Sequence, residues 1–370
     1  MSRWGNRGIG SPAGGRLPFI LRWICHRESA QGPLPLSRTT EQSQDISVAL
    51  TREVTVTRVI CGVDVSSESL AARIGRDGAA ASFANTPQGI AALAAFCRTH
   101  QVELVVMEAT GGYQQRALQL LWAEQLPVAI VNPRAVRRFA QAMGLVEKTD
   151  AIDAGAIAWF AQTRRTVAQP PASSAQQHLR ALVTRLRQLT LVRSAQRNQR
   201  RLVTDAAVLA MTDQLLALLQ QQIGELETAI AALLASDPLW QALDQAFRSI
   251  RGVASRTVAR LMAEMPEIGT LSAKSISKLA GLAPLARDSG KHQGRRMIRG
   301  GRAPVREILF VVASVAARYE PDFTAFHQRL RLAGKPPKVV RIALAHKLLV
   351  RLNAKAREVR NRITPALVAA

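Results

Sequence analysis

Between residues 57 and 165 the apolar positions fall in short runs separated by turn residues. Val59-Ile60-Cys61-Gly62-Val63-Asp64-Val65 is apolar up to a carboxylate near its end and predicts a strand. Leu70–Ile74 and Ala79–Phe83 flank Asp77-Gly78, a hairpin turn dipeptide. Thr86-Pro87 sets a capping hydroxyl before a first-turn proline and opens a helix to about Thr99. Glu103–Glu108 is a second apolar run ending in a carboxylate, and Gly111-Gly112 leads into a helix to Glu124. Val128–Val131 is a strand closed by Asn132-Pro133, with helices from about Arg134 and about Asp150. Three strands, helix, strand, helix, strand, helices: this order predicts an α/β unit with an antiparallel hairpin on a partly parallel sheet.

Beyond residue 175 the period changes. Leu179, Leu182, Leu186 and Leu189 step at heptad spacing, as do Leu216, Leu219, Ile223, Leu226, Ile230 and Leu233. The spacing predicts an antiparallel helical hairpin or a coiled coil. Residues 246–370 predict a compact helical unit broken at glycines and prolines, ending in an amphipathic helix from about Val339 to Arg360 with Ile342, Ala345, Leu349 and Leu352 on its apolar side. Residues 1–55 lack periodicity, are rich in Gly, Pro, Ser and Arg, and read as disordered. Between Met1 and Met107 there is no methionine, so a start mis-assigned upstream of about residue 54 is a further expectation for this extension.

Composition sharpens this division. The chain has 370 residues, 48% of them hydrophobic, which excludes a wholly disordered protein and fits two or three domains. Lys and Arg total 50 against 26 Asp and Glu, a net charge of +24, and a charge of that size points to a polyanionic partner. Residues 166–370 carry 32 basic and 13 acidic side chains, whereas residues 56–165 are nearly neutral. The basic half is therefore the polyanion grip. Arg180, Arg187, Arg193, Arg197, Arg200 and Arg201 crowd the first long helix, as a solvated face or as a nucleic-acid contact. No apolar run approaches a membrane span. Cys25, Cys61 and Cys97 are few and widely spaced, which argues for a reducing compartment without a disulfide frame.

The acids carry the candidate chemistry. Asp64 and Glu108 each end a predicted strand, and strand ends on one sheet edge share a crevice. Asp150 and Asp153 lie on one helix face. If that helix packs over the sheet, four carboxylates meet, and their mutual repulsion requires cations. Oxygen-only donors favour Mg²⁺ or Mn²⁺, and two such ions about 4 Å apart stabilise both oxygens of a phosphodiester displacement. The plainer alternative is that each acid is a turn residue or a helix cap.

Four motifs carry a resemblance: Gly62-Val63-Asp64-Val65-Ser66, Met107-Glu108-Ala109-Thr110-Gly111-Gly112-Tyr113, Asn132-Pro133-Arg134, and Lys148-Thr149-Asp150-Ala151-Ile152-Asp153-Ala154. Together the chain resembles the DEDD transposases of the insertion sequence 110 family. The resemblance implies an α/β RNase H-like (Holliday-resolvase, RuvC-like) domain, with Asp64, Glu108, Asp150 and Asp153 as a metal-binding catalytic tetrad. In the C-terminal half Gly281-Leu282-Ala283-Pro284 and Ser289-Gly290-Lys291 are similar to the core of the family's transposase domain. Ser289 matches its serine, implied to attack a DNA phosphate and form a covalent link. Asp288 and His292 lie close in sequence, but neither has the arrangement of a general base. Ser249–Ala254, followed by Thr257, is similar to a helix-hairpin-helix element, either a phosphate contact or a structural turn. From Ser289 to Arg306 the chain carries Lys291, Arg295, Arg296, Arg299, Arg302 and Arg306 and no acid, which reads as a flexible cationic loop suited to a phosphate backbone. Gly334-Lys335-Pro336-Pro337-Lys338 is similar to the family's end region, and the resemblance adds Lys335 and Lys338 to the nucleic-acid-binding set.

The expected organisation is an extension over 1–55, an RNase H-like domain over 56–165, a helical coiled-coil segment over 166–245 and a mainly α transposase domain over 246–370. The expected activity is cleavage and rejoining of donor and target DNA with Mg²⁺ (or Mn²⁺). The resemblance implies a guide RNA encoded by the element and a homo-oligomer, dimer or tetramer, working in the bacterial cytoplasm at the nucleoid. The rival readings are a metal-dependent nuclease or resolvase in which Ser289 is inert, and a basic nucleic-acid binder with a decayed active site.

Overall fold

The computed structural model describes residues 58–145, 150–286, 288–294 and 296–368, with side chains omitted at 150–152 and 364–368. The extension expected over 1–55 therefore lies outside the described residues. The sheet contains β1 (Ile60–Val65), β2 (Ser69–Ile74), β3 (Ala80–Ala84), β4 (Leu104–Glu108) and β5 (Val128–Val131), in the order β3-β2-β1-β4-β5. β1 and β2 are antiparallel, with Cys61 opposite Ile74 and Val65 opposite Leu70, and β2 pairs the same way with β3. β4 and β5 add in parallel, with Val63 opposite Met107 and Met107 opposite Ile130. This is the mixed sheet that the element order predicts. The β2–β3 turn is longer than Asp77-Gly78 suggests. The Gly75 N–H reaches the Ile60 carbonyl at 2.7 Å and extends the β1 ladder, so the loop spans Gly75–Gly78 and closes by Ile74 N–H to the Ala79 carbonyl at 2.9 Å.

Strand alternation gives the sheet two apolar faces. Cys61, Val63, Leu70, Val105 and Met107 pack under α1 (Pro87–Thr99) and α2 (Gln114–Ala123). Ile60, Leu104, Val106, Ala129 and Val131 pack under α3 (Pro133–Ala142) and α4 (Asp150–Arg164) through Val136, Ile157, Ala158 and Ala161. The starts of α1 and α3 follow the sequence signals. Thr86 Oγ1 accepts from the Gly89 N–H at 3.2 Å, and Asn132 Oδ1 accepts from the Arg134 N–H at 2.9 Å.

The remainder is helical apart from one small ribbon. α5 (Ser174–Arg200) and α6 (Ala206–Ala235) form an antiparallel hairpin, with Arg200 paired to Asp213 at 2.5 Å near its tip and Arg193 bonded to Gln220 further in. Leu179, Leu186, Leu219, Ile223 and Ile230 of the heptad stripes are buried. Towards the tip, Leu191, Leu202, Met211 and Leu218 are exposed. α7 (Pro238–Arg248), α8 (Ser255–Glu264), α9 (Ala273–Leu279), α10 (Ala303–Tyr319), α11 (Pro321–Leu332) and α12 (Pro337–Val368) share one core with the inner half of that hairpin. Between α9 and α10 lies the two-stranded ribbon of β6 (Pro284–Leu285) and β7 (Met297–Ile298). Among the described residues no helix is long and apolar enough to cross a membrane.

Candidate active site

Asp64 and Glu108 stand at the carboxyl ends of β1 and β4. These strands are parallel neighbours, with Val63 matched to Met107, so the two acids follow as the next matched positions. They share the face that bears Ile60, Leu104 and Val106, which is the face under α4. The helix runs antiparallel to β1: Arg58, just before the strand, donates to the carbonyl of Thr166, just past the end of the helix, at 3.4 Å. Ala154 and Ala158 straddle Gly62, whereas Gly155 lies against Arg76 and Trp159 stacks under its guanidinium at 4.2 Å, at the β2–β3 turn. The N-terminal end of α4, with Asp150 and Asp153, is thus directed toward the acid-bearing ends of the strands. Asp64, Glu108 and Asp153 are all half-buried, and the Asp150 side chain lies outside the described residues.

Glycine at position 62 makes this approach feasible. A Cβ there would stand 2.0 Å from the Ala154 carbonyl oxygen and 2.6 Å from the Ala158 nitrogen. Only a residue without a side chain lets the helix lie on the strand. The loop beyond Glu108 is tied as closely. Ala109 N–H bonds the Val131 carbonyl at 3.1 Å, and the buried Gln114 accepts from the Thr110 and Gly112 N–H groups at 3.2 and 3.1 Å. Asn85 donates to the Ser66 carbonyl at 2.9 Å and so joins the loop after β1 to the start of α1. Sequence reading passed over Gln114 and Asn85. Their only signals are a glutamine after Gly111-Gly112-Tyr113 and an asparagine before the Thr86 cap. The Thr110 hydroxyl, two residues past Glu108, is buried without a hydrogen-bond partner among the described residues.

The donors on this edge are all carboxylate oxygens, the chemistry that suits Mg²⁺ or Mn²⁺ rather than zinc. Among the described residues no three Asp, Glu, His or Cys side chains form a metal-binding group, and the remaining acid of the set is Asp150.

Ser289 belongs to the ribbon. Its N–H bonds the His292 carbonyl at 3.1 Å and its carbonyl accepts from the His292 N–H at 3.0 Å, leaving Gly290-Lys291 as a two-residue turn. The first part of the segment read as a flexible loop therefore belongs to a hairpin with Ser289 exposed at its tip, held by cross-strand bonds and the Asp288–Arg296 pair, and its end opens α10. Arg296 pairs with Asp288 at 2.5 Å and, with the Gly294 N–H, holds that carboxyl below the usual carboxylate range. Asp288 is thus an ion-pair partner rather than a poised base for Ser289. At the neck, Gly281 and Gly301 (φ 69° and 67°) press backbone to backbone, and a Cβ on Gly301 would lie 2.2 Å from the Gly281 nitrogen. Arg302 braces the neck with two 2.6 Å bonds to Glu267 and one of 2.8 Å to the Glu264 carbonyl. Burial pushes the Glu267 carboxyl up, but the Arg302 bonds outweigh it and leave the group below its ordinary range. Of the expected phosphate contacts, Arg296 and Arg302 are engaged by acids, Arg306 bonds the Gly300 carbonyl at 2.6 Å, and Lys291, Arg299, Lys335 and Lys338 are exposed. Arg295 lies outside the described residues.

The neck and the acid-bearing edge open on one space. A cavity of about 900 Å³ is lined by Gly111 and Gly112, by Gln176, Arg180 and Arg185 of α5, and by Arg302. The turn between α7 and α8 behaves differently. The Arg251 N–H donates to the buried Glu320 carboxylate at 2.6 Å, which occupies one donor with an acid and favours the structural alternative for this element.

Two family models match the chain: a DEDD transposase model over residues 61–209, and the Transposase IS116/IS110/IS902 family over residues 244–328. The first spans all four acids and the second spans Ser289. This chain belongs to the insertion sequence 110 family of transposases. The curated relatives of the transposase include the pilin gene-inverting proteins of Moraxella lacunata and Moraxella bovis. Each is 27% identical over 281 residues, covering 72% of this chain and 85% of the relative. In this transposase the matched regions include both faces of the cavity: the loop after Glu108 and α5 on one side, the hairpin neck on the other.

Proposed function

We propose that this transposase cuts and rejoins DNA at the edge where Asp64, Glu108, Asp150 and Asp153 converge, with Ser289 as nucleophile. The observation that carries the reading is the placement of Asp64 and Glu108 on adjacent parallel strand ends beneath the helix that bears Asp153. The four carboxylates would hold Mg²⁺ or Mn²⁺. Once bound, the ion would neutralise the scissile phosphate and stabilise its charge in the transition state. The protein's own work is positional. Gly62 seats α4 on the sheet, Gln114 and Asn85 fix the loops, and the cavity beside Glu108 receives the strand against Arg180 and Arg185. The Ser289 Oγ–P bond forms as one P–O ester bond to deoxyribose breaks. The seryl proton passes through water to the departing sugar oxygen. Attack of a second strand's hydroxyl on the phosphoserine reverses the bookkeeping and joins new ends. The relatives are named for gene inversion, which requires rejoining as well as cleavage.

The α/β unit over 56–165 holds the acids, the α5–α6 hairpin of the 166–245 segment pairs protomers into a dimer or tetramer, and the 246–370 unit brings the serine and phosphate contacts Lys291, Arg295, Arg299, Lys335 and Lys338. An element-encoded RNA pairs with donor and target and takes over sequence reading, which suits a grip made of arginines rather than a groove-reading motif. The work takes place in the cytoplasm, at the nucleoid. The test is trapping on labelled DNA carrying the element's ends: Ser289→Ala should abolish covalent protein–DNA adducts, and Asp64→Asn should abolish cleavage. Adducts that persist in Ser289→Ala overturn the nucleophile; cleavage without adducts in that variant makes the protein a metal-dependent nuclease.

A further inference from the structure

On the far side of the α11–α12 pair from the ribbon, Arg318 of α10, Arg331 of α11 and Arg341 of α12 line one cavity of about 410 Å³, together with His327 and Ser314. Three separate helices each contribute an arginine to its lining. Among the described residues none of the three has an acidic partner, and none of the lining residues is an acid. The neighbouring side of the same helices is built differently. There Arg351 faces Glu320 and Asp322, both at 3.6 Å, and Lys347 donates to the Asp322 carbonyl at 2.9 Å. The core beneath the cavity is supplied by Val340 and Leu344, both buried, so the arginines are not needed for packing. Three like charges around one hollow repel one another, and an anion in the hollow turns that repulsion into attraction. Arg341 lies over the Phe310 ring at 4.8 Å, which holds its planar fork in place. Pro337, the first residue of α12, is also on the rim, so the positive end of that helix opens on the same space.

We infer that this cleft binds a phosphate group of a nucleic-acid backbone, at a contact separate from the cavity beside Glu108. Guanidinium forks match phosphate oxygens two at a time, and the cavity has the volume for a phosphate with its adjoining sugars. The inference rests on the reading of the chain as a nucleic-acid enzyme. It adds Arg318, Arg331 and Arg341 to the exposed Lys335 and Lys338 around Pro337, which the family resemblance singles out.

The experiment measures binding of the full chain to a fluorescent random-sequence DNA duplex across a salt series, with calorimetric titration of inorganic phosphate as a second arm. The double variant Arg318→Ala/Arg331→Ala and the single variant Arg341→Ala should weaken duplex binding about tenfold at low salt. Each should also lower the slope of log affinity against log salt by about 1. Arg248→Ala removes one charge elsewhere, as many as Arg341→Ala, and should leave the slope nearly unchanged. Arg331→Lys should restore the slope but not the full affinity, because it keeps charge and loses the fork. Thermal melts equal to wild type confirm folding. Equal affinity and slope in folded variants overturn the site. Phosphate binding lost in the variants while duplex binding is untouched overturns the backbone assignment and makes this a free-phosphate pocket. A wild-type chain that binds no duplex defeats the nucleic-acid reading itself, a result distinct from either.

Discussion

Replacing Gly62 by alanine tests how the acids are brought together. The added Cβ would lie 2.0 Å from the Ala154 carbonyl oxygen, whereas ordinary contact begins at 3.4 Å. Relief requires α4 to lift by about 1.4 Å, since neither backbone segment can rotate away from the contact. Overpacking of this kind costs about 1–3 kcal/mol. In an α/β unit of roughly 100 residues that lowers the melting temperature by about 4–8 °C for each kcal/mol. The effect on chemistry should be larger, because α4 carries Asp153 and a misplacement of about 1 Å at a reacting centre costs roughly a hundredfold in rate. The assay is cleavage of a plasmid bearing the element's ends, paired with a thermal melt. Cys61→Ala is the control: Cys61 is buried on the opposite face of β1, so its truncation loosens packing without touching α4. A folded Gly62→Ala protein that cleaves at the wild-type rate would refute the claim that the seating of α4 on β1 sets the site's geometry.

The remaining predictions concern the hairpin, the thiols and the helical arm. Arg302→Ala strands the half-buried Glu267 and should cost about 1–3 kcal/mol by thermal melt, with adduct formation falling further than stability does. Because the folded Glu267 carboxyl is held below its ordinary range, the unfolded chain takes up its proton first as pH falls; the pair's stability is complete above the ordinary glutamate pKa and lost below it. After solvent screening this amounts to about 1 kcal/mol or less, read as the wild-type minus Glu267→Gln difference in melting between about pH 6 and about pH 3.5. The hydrogen bond that the Cys61 thiol donates to Cys97, together with burial, pushes that thiol well up, so in a Cys25→Ser background native protein should react with a thiol reagent only as fast as it unfolds. Met211→Glu with Leu218→Glu on the exposed tip of α5–α6 should shift the mass measured by light scattering toward the monomer while leaving the melting temperature unchanged.

What could be read from sequence follows the range of the forces involved. The strands ending in Asp64 and Glu108 and the capped starts at Thr86 and Asn132 are local, and the structure has them where the pattern puts them. The heptad steps from Leu179 to Leu233 likewise predict the α5–α6 hairpin, since burying one stripe of each helix against the other decides its shape. The β2–β3 loop departs from its dipeptide because the bond from Gly75 to Ile60, fifteen residues earlier, competes with the local turn. The ribbon carrying Ser289 was hidden for a similar reason. Two-residue strands leave no alternation to detect, and the Gly281–Gly301 contact that closes them joins positions twenty residues apart. The arginine cavity is the extreme case: Arg318, Arg331 and Arg341 have no common spacing and meet only once three helices are packed.

The clamped neck makes the ribbon a lever. Under the role proposed for Ser289, a lever arm of five residues, about 17 Å at strand rise, would carry the hydroxyl through about 3 Å for a rotation of only 10° at its root. Strength at the fulcrum, where two glycine backbones touch and Arg302 grips Glu267, would under that role set the aiming accuracy at the far end.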